Sequence, residues 1–158
     1  MSTSSLEKAV WTHKDFEVMG WHDATIWSMH SNVDDFEFLI DLDYIFEWIH
    51  PKENQTFFKF RVAPVTMVFT FVHSVNLDIE SNLGEIEIQD LFMENPTPTP
   101  DGKATSFTFR FDCQQGEISL KSTGFKMYVR QEPTLMDGQR FGLDERGGIN
   151  FNRGQNAL

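Results

Sequence analysis

Residues 36–48 read FEFLIDLDYIFEW, with Phe36, Phe38, Ile40, Leu42, Tyr44, Phe46 and Trp48 at alternate positions. In a strand this spacing places every one of them on a single face. A helix would scatter them around its axis. The opposite face carries Glu37, Leu39, Asp41, Asp43, Ile45 and Glu47, a mixed and acidic set. The run is long for one pleated strand, so a bend or bulge is expected within it.

The same rhythm recurs along the chain. Phe107, Phe109 and Phe111 alternate with Thr108 and Arg110, and Phe125, Met127 and Val129 alternate with Lys126 and Tyr128. Ile86 and Ile88 alternate with Glu85 and Glu87. Phe58, Phe60 and Val62 form one further run, and Met67, Phe69 and Phe71 another. Residues 21–30 and 75–79 are also strand candidates. Short strands divided by turn residues predict an all-β antiparallel sandwich or open barrel of about 7–9 strands. Ser31-Asn32 is expected to close the first hairpin, and Asn82-Leu83-Gly84 and Gln115-Gly116 to supply later turns. Pro64 is expected to separate two strands, since it cannot donate to a ladder. Residues 95–102, NPTPTPDG, read as a stiff connector looping out between strands. Ser4 and Glu7 have capping-box spacing, with Leu6, Ala9, Val10 and His13 on one helical face, the pattern of a short N-terminal helix. The chain therefore reads as one β domain over 1–130, followed by an irregular glycine-rich segment over 131–158 that packs on it or stays flexible.

The charge is unevenly spread. The chain carries 24 acidic and 13 basic side chains, a formal net charge of −11. Residues 1–101 hold 18 acids and 5 bases, giving −13; residues 102–158 hold 6 acids and 8 bases, giving +2. Such acidity excludes a general nucleic-acid binder, which needs cations along the phosphates. No run approaches the roughly 20 apolar residues that span a bilayer. The N-terminus lacks a basic region followed by an apolar one, and the single Cys113 cannot form an internal disulfide, so a cytoplasmic location is expected. Sharing one sheet, the acidic strands would present an acidic solvent face, which reads first as a solvated surface that keeps an aromatic-rich β protein soluble and, as the sharper alternative, as a docking surface for a basic partner.

Few residues suggest chemistry. Asp41 and Asp43 share a strand face at roughly 7 Å and could hold a cation or flank a substrate. Two exposed strand carboxylates is the simpler reading. His22 and His30, on one strand, would stand roughly 27 Å apart and could not share an ion. Cys113 has no partner arrangement of a thiol enzyme and reads as a small buried side chain. Gly147-Gly148 is not a phosphate loop. No catalytic residue, metal ligand or cofactor is assigned. Trp21-His22-Asp23 opens a strand, where the His ring would bond a backbone carbonyl and Asp23 would cap a turn.

At Trp21-His22-Asp23-Ala24 the sequence resembles a broad group of small bacterial proteins that open with an aromatic-His-Asp-Ala/Ser motif on their first strand. The run Leu42 to Trp48 is similar to an aromatic strand in some of them. The likeness covers about the first third of the chain. Some members are classed as immunity proteins of polymorphic toxin systems, and others are uncharacterised. The resemblance implies a β-rich fold and no catalytic residues. The expectation is a non-enzymatic protein-binding module, a toxin-neutralising immunity protein whose partner is a basic protein. Its contact residues would be Trp21, His22, Asp23, Asp41, Asp43, Glu85 and Glu87. The alternatives are a small metal-dependent hydrolase or ligand-binding barrel using Asp41, Asp43 and nearby histidines, and a homo-oligomer built through long aromatic strands.

Overall fold

The computed structural model describes residues 7–154. The chain is all-β. Its strands are β1 (Val10–Thr12), β2 (Thr25–Asn32), β3 (Glu37–Ile49), β4 (Lys59–Thr70), β5 (His73–Ile79), β6 (Ile86–Pro98), β7 (Thr105–Cys113), β8 (Gly116–Ser122), β9 (Gly124–Val129) and β10 (Thr134–Met136). They form one open antiparallel sheet in the order β1-β9-β4-β3-β2-β6-β7-β8-β5, with β10 added to β4. The count exceeds the expected range because β1 and β10 have only three residues each, too few to show a period.

The sheet folds over itself at a narrow seam. Strands β2 and β6 pair only through Thr25 with Glu87 and Ile26 with Ile86. The two halves then meet face to face: Phe69 of β4 lies 5.1 Å from Phe109 and 6.0 Å from Phe111 of β7, ring centre to ring centre. Phe38, Ile40, Leu42 and Tyr44 of β3 join this core with Val65, Met67, Phe125 and Met127. The period-two pattern thus places these phenylalanines in one aromatic layer, whose tilted and edge-on ring contacts suit the ring quadrupole.

Strand β3 carries the expected irregularity. Its register with β4 shifts between Ile45 and Glu47, so Phe46 is the extra residue. One inserted residue reverses the alternation beyond it. Trp48 therefore pairs with Phe60 and packs on it at 5.1 Å, on the face opposite Leu42. Phe36 never enters the strand. It takes a left-handed conformation at φ 58° in the turn before β3 and is exposed.

Four local expectations are corrected. Pro64 does not divide two strands but lies inside β4, opposite Asp43. Its carbonyl accepts from the Arg130 amide at 3.0 Å. Its nitrogen faces the same side, where the neighbour changes from β9, whose pairing with β4 ends at Val65, to β10, whose pairing begins at Val62. The missing donor falls in that gap. Ser31 and Asn32 remain paired in β2, and the turn lies beyond them at Val33–Asp35. Residues 95–98 do not loop out but lengthen β6. Val10 to Thr12 form a strand, and a 3-10 turn follows at His13–Val18, capped reciprocally by Thr12 and Asp15; Ser4 lies outside the described residues.

The segment after β9 packs on the sheet. It places Phe141 and Arg146 in the interior, against the face of β3 and β4 opposite the aromatic layer. We call residues 131–154 the arm.

Candidate functional site

Asp41 and Asp43 point to this second face of β3, as their parity requires. Both are completely buried, which corrects their expected exposure. Arg146 from the arm lies between them. Its Nη2 donates to Asp41 Oδ1 at 2.5 Å, its Nη1 to Asp41 Oδ2 at 2.8 Å, and its Nε to Asp43 Oδ1 at 3.0 Å. Arg130, just past β9, adds Nη2 to Asp41 Oδ1 at 2.9 Å and Nη1 to Thr66 Oγ1 at 2.9 Å. The remaining acceptor positions take the indole of Trp27 at 2.8 Å and the Phe141 amide at 2.9 Å, both on Asp43, and the Asn150 amide at 3.1 Å on Asp41. Trp27 is the extra residue of a bulge in β2. Its ring lies 4.9 Å from the Arg146 guanidinium, a cation–π contact.

Two carboxylates thus face two guanidiniums, and charge cancels inside the cluster. Burial alone would lower the basicity of both arginines. For Arg146 the hydrogen bonds it donates to Asp41 and the charges of both aspartates outweigh it, and its pKa is raised. For Arg130 burial prevails over Asp41 and its pKa is lowered. Asp41 and Asp43 are close together, as their spacing foresaw, but arginines occupy the place of a cation. No group of three His, Cys, Asp or Glu side chains suited to a metal occurs among the described residues. Here sequence reasoning missed Arg130, Arg146 and Trp27. The excess of bases after residue 101 was the only trace of the two arginines, and the bulge that turns Trp27 toward them left none.

The other expected contacts divide. Trp21 is buried, edge-on to Tyr44 at 5.2 Å and Phe125 at 6.0 Å, so it anchors the core and offers nothing to a partner. His22, Asp23, Glu85 and Glu87 do reach the surface, near the β2–β6 seam. Residues 21–24 form a turn here and not the opening of a strand, with Asp23 at φ 69°. The His22 ring meets the Gln89 carbonyl at 3.3 Å. Asp23 accepts from the Gln139 side chain of the arm at 2.7 Å and not from turn amides. Glu87 has a raised pKa, first from partial burial and then from the charges of Asp23 and Glu85, with His22 opposing.

An aromatic strip adjoins these acids. The imidazole of His22 stacks on Trp48 at 5.9 Å, and Trp48 meets Phe58 edge-on at 6.0 Å. His50 packs on Phe58 at 4.9 Å, and Phe57 beside it is exposed. The bulge at Phe46 brings Trp48 to this side, so period-two counting could not place it. Elsewhere, Cys113 is a buried thiol whose pKa burial, with Asp112 and Glu117, pushes up to about 12. His30 packs at a tilt on Phe151 at 5.7 Å, away from His22.

No family model, no curated protein and no solved structure matches the chain. No helix among the described residues is long and apolar enough to cross a membrane.

Proposed function

We propose that the chain is a non-enzymatic protein-binding module of the cytoplasm that neutralises a basic protein toxin, as an immunity protein does. The observation that carries this reading is the strip of Trp48, Phe58 and His22 beside Asp23, Glu85 and Glu87. Aromatic anchors such as the exposed Trp48 carry much of the binding energy of protein interfaces, and carboxylates beside them steer a cationic partner. The buried cluster sums to zero (−2 from Asp41 and Asp43, +2 from Arg130 and Arg146). The formal −11 of the chain therefore lies wholly outside it, available to steer a cationic partner. Asp41 and Asp43 take no part in this docking, because the arm seals them.

The test is affinity capture from the native cell, followed by measured binding of the captured partner to two variants. A basic partner is expected, with affinity falling as salt rises from about 0.05 to 0.5 M and lost in Trp48→Ala and in Glu85→Lys/Glu87→Lys. Co-expression should also restore growth to cells making that partner. A partner indifferent to ionic strength and to all these substitutions would refute the reading.

A further inference from the structure

The end of the sandwich away from the aromatic strip holds a cleft of about 670 Å³. Three departures from regular strand geometry build it. The β6–β7 hairpin runs past the end of β8, since β8 stops at Ser122 opposite Phe107 while β6 continues to Pro98. The corner between β4 and β5 turns sharply at Phe71, held at φ 50°, and the β5 register then shifts near Ser74 at φ 57°. Asn95, at φ 53°, aims the hairpin overhang. Left-handed backbone at a bulky residue such as Phe71 is strained and gathers at ligand sites. Yet the Phe71 ring is 69% exposed, so its own burial does not compensate.

The cleft is set in advance. Thr99 Oγ1 donates to Asp101 Oδ1 at 2.7 Å, the Lys103 amide donates to the same oxygen at 2.9 Å, and the Thr99 amide reaches the Ala104 carbonyl at 2.9 Å. With prolines at 96, 98 and 100 the overhang has little freedom left to lose on binding. Its walls are apolar, from Phe71, Phe107, Pro98 and Pro100. Lys121 of β8 also lines it, and no carboxylate pairs with that ammonium among the described residues. A smaller adjoining cleft shares Thr123 and is lined by Lys14 and Lys126, which likewise lack ion pairs. In a chain of net charge −11, unpaired cations gather at this end. The one acid in the larger cleft, Asp101, is engaged within the hairpin tip.

We propose that this cleft binds a small amphipathic carboxylate, with its apolar body between Phe71, Phe107 and the hairpin prolines and its anionic head at Lys121. The volume lies in the range of small-molecule sites, and such sites pair mostly apolar walls with a few placed polar groups. This site is independent of the aromatic strip, and either can fail alone.

Dodecanoate and its neutral counterpart 1-dodecanol are the probes, titrated by calorimetry and by amide chemical shifts. Saturable binding of dodecanoate is expected, with shifts at Ser106, Thr108 and Thr123. Lys121→Met should weaken dodecanoate about tenfold and leave dodecanol unchanged, since one charge-assisted contact is lost. Phe71→Ser should weaken both probes. Equal binding by wild type and both variants, shifts confined to another surface, or no saturable binding would overturn the proposal. Melting temperatures of the variants check that each remains folded.

Discussion

The two faces of β3 are equally dry and are held by opposite means. On one, Ile40 and Leu42 pack into aromatic and aliphatic neighbours; on the other, Asp41 and Asp43 sit under the arm, and all four are fully buried. The apolar face is filled by shape and area, which tolerate exchange among side chains of like volume. The acidic face is filled by stoichiometry. Each carboxylate oxygen receives named donors, and most of the N–H groups of Arg146 have an acceptor. Alternation along a strand therefore separates two chemistries without separating inside from outside. A polar face becomes interior when the same chain supplies its counter-charge.

The sharpest way to break this contrast is Arg146→Met. It leaves Asp41 and Asp43 buried with only Arg130 for charge, at an expected cost of about 3–5 kcal/mol in urea unfolding. Hydrogen exchange should rise across residues 134–150. The conservative exchange Arg146→Lys should still cost about 2 kcal/mol, because a lysine cannot present the fork that joins both aspartates. Across the strand, Leu42→Met should cost less than about 1.5 kcal/mol in the same assay. If the two conservative exchanges prove equal, the distinction between the faces fails.

Two smaller effects test titratable groups at the edges of these faces. His13 packs against Phe125 and Phe107, its Nδ1 is buried without a partner, and burial lowers its pKa from 6.5. The unfolded chain then binds this proton more readily than the folded one. The stability from neutral His13 is complete above pH 6.5 and declines as pH falls toward its folded pKa. Thermal midpoints at pH 7.5 and 5.5 should differ less in His13→Leu than in the parent. The Glu87 pKa is raised above 4.5, so the sign reverses: its ionised form costs stability once pH rises past that value. Glu87→Gln should raise the midpoint slightly at pH 7 and leave it unchanged at pH 3.5.

The fold class could be read from the rhythm of Phe38, Ile40 and Leu42 and its repeats, because burial of one strand face leaves a local trace. A bulge could be foreseen from the length of β3, but its place at Phe46, and hence the side taken by Trp48, depends on pairing with β4. Pro64 was misjudged for a related reason. Its tolerance arises where β9 gives way to β10, a fact of neighbours and not of the local run. The Asp41 and Asp43 pair was visible as a pair. Its cover was not, since Arg146 is 105 residues from Asp41 and lies in a stretch without periodicity. Charge segregation pointed to a basic partner for the acidic strands, whereas at β3 two arginines of the same chain, Arg130 and Arg146, supply the counter-charge.

This distance has a consequence for biosynthesis. At about 5–20 residues per second, roughly 5–20 s pass between translation of Asp41 and translation of Arg146. Until then the nascent sheet holds two negative charges on a surface with no lid, and native closure has to wait. A message cut short just before that arginine codon leaves Asp41 and Asp43 with Arg130 alone for charge, a product expected to unfold more readily than the full chain.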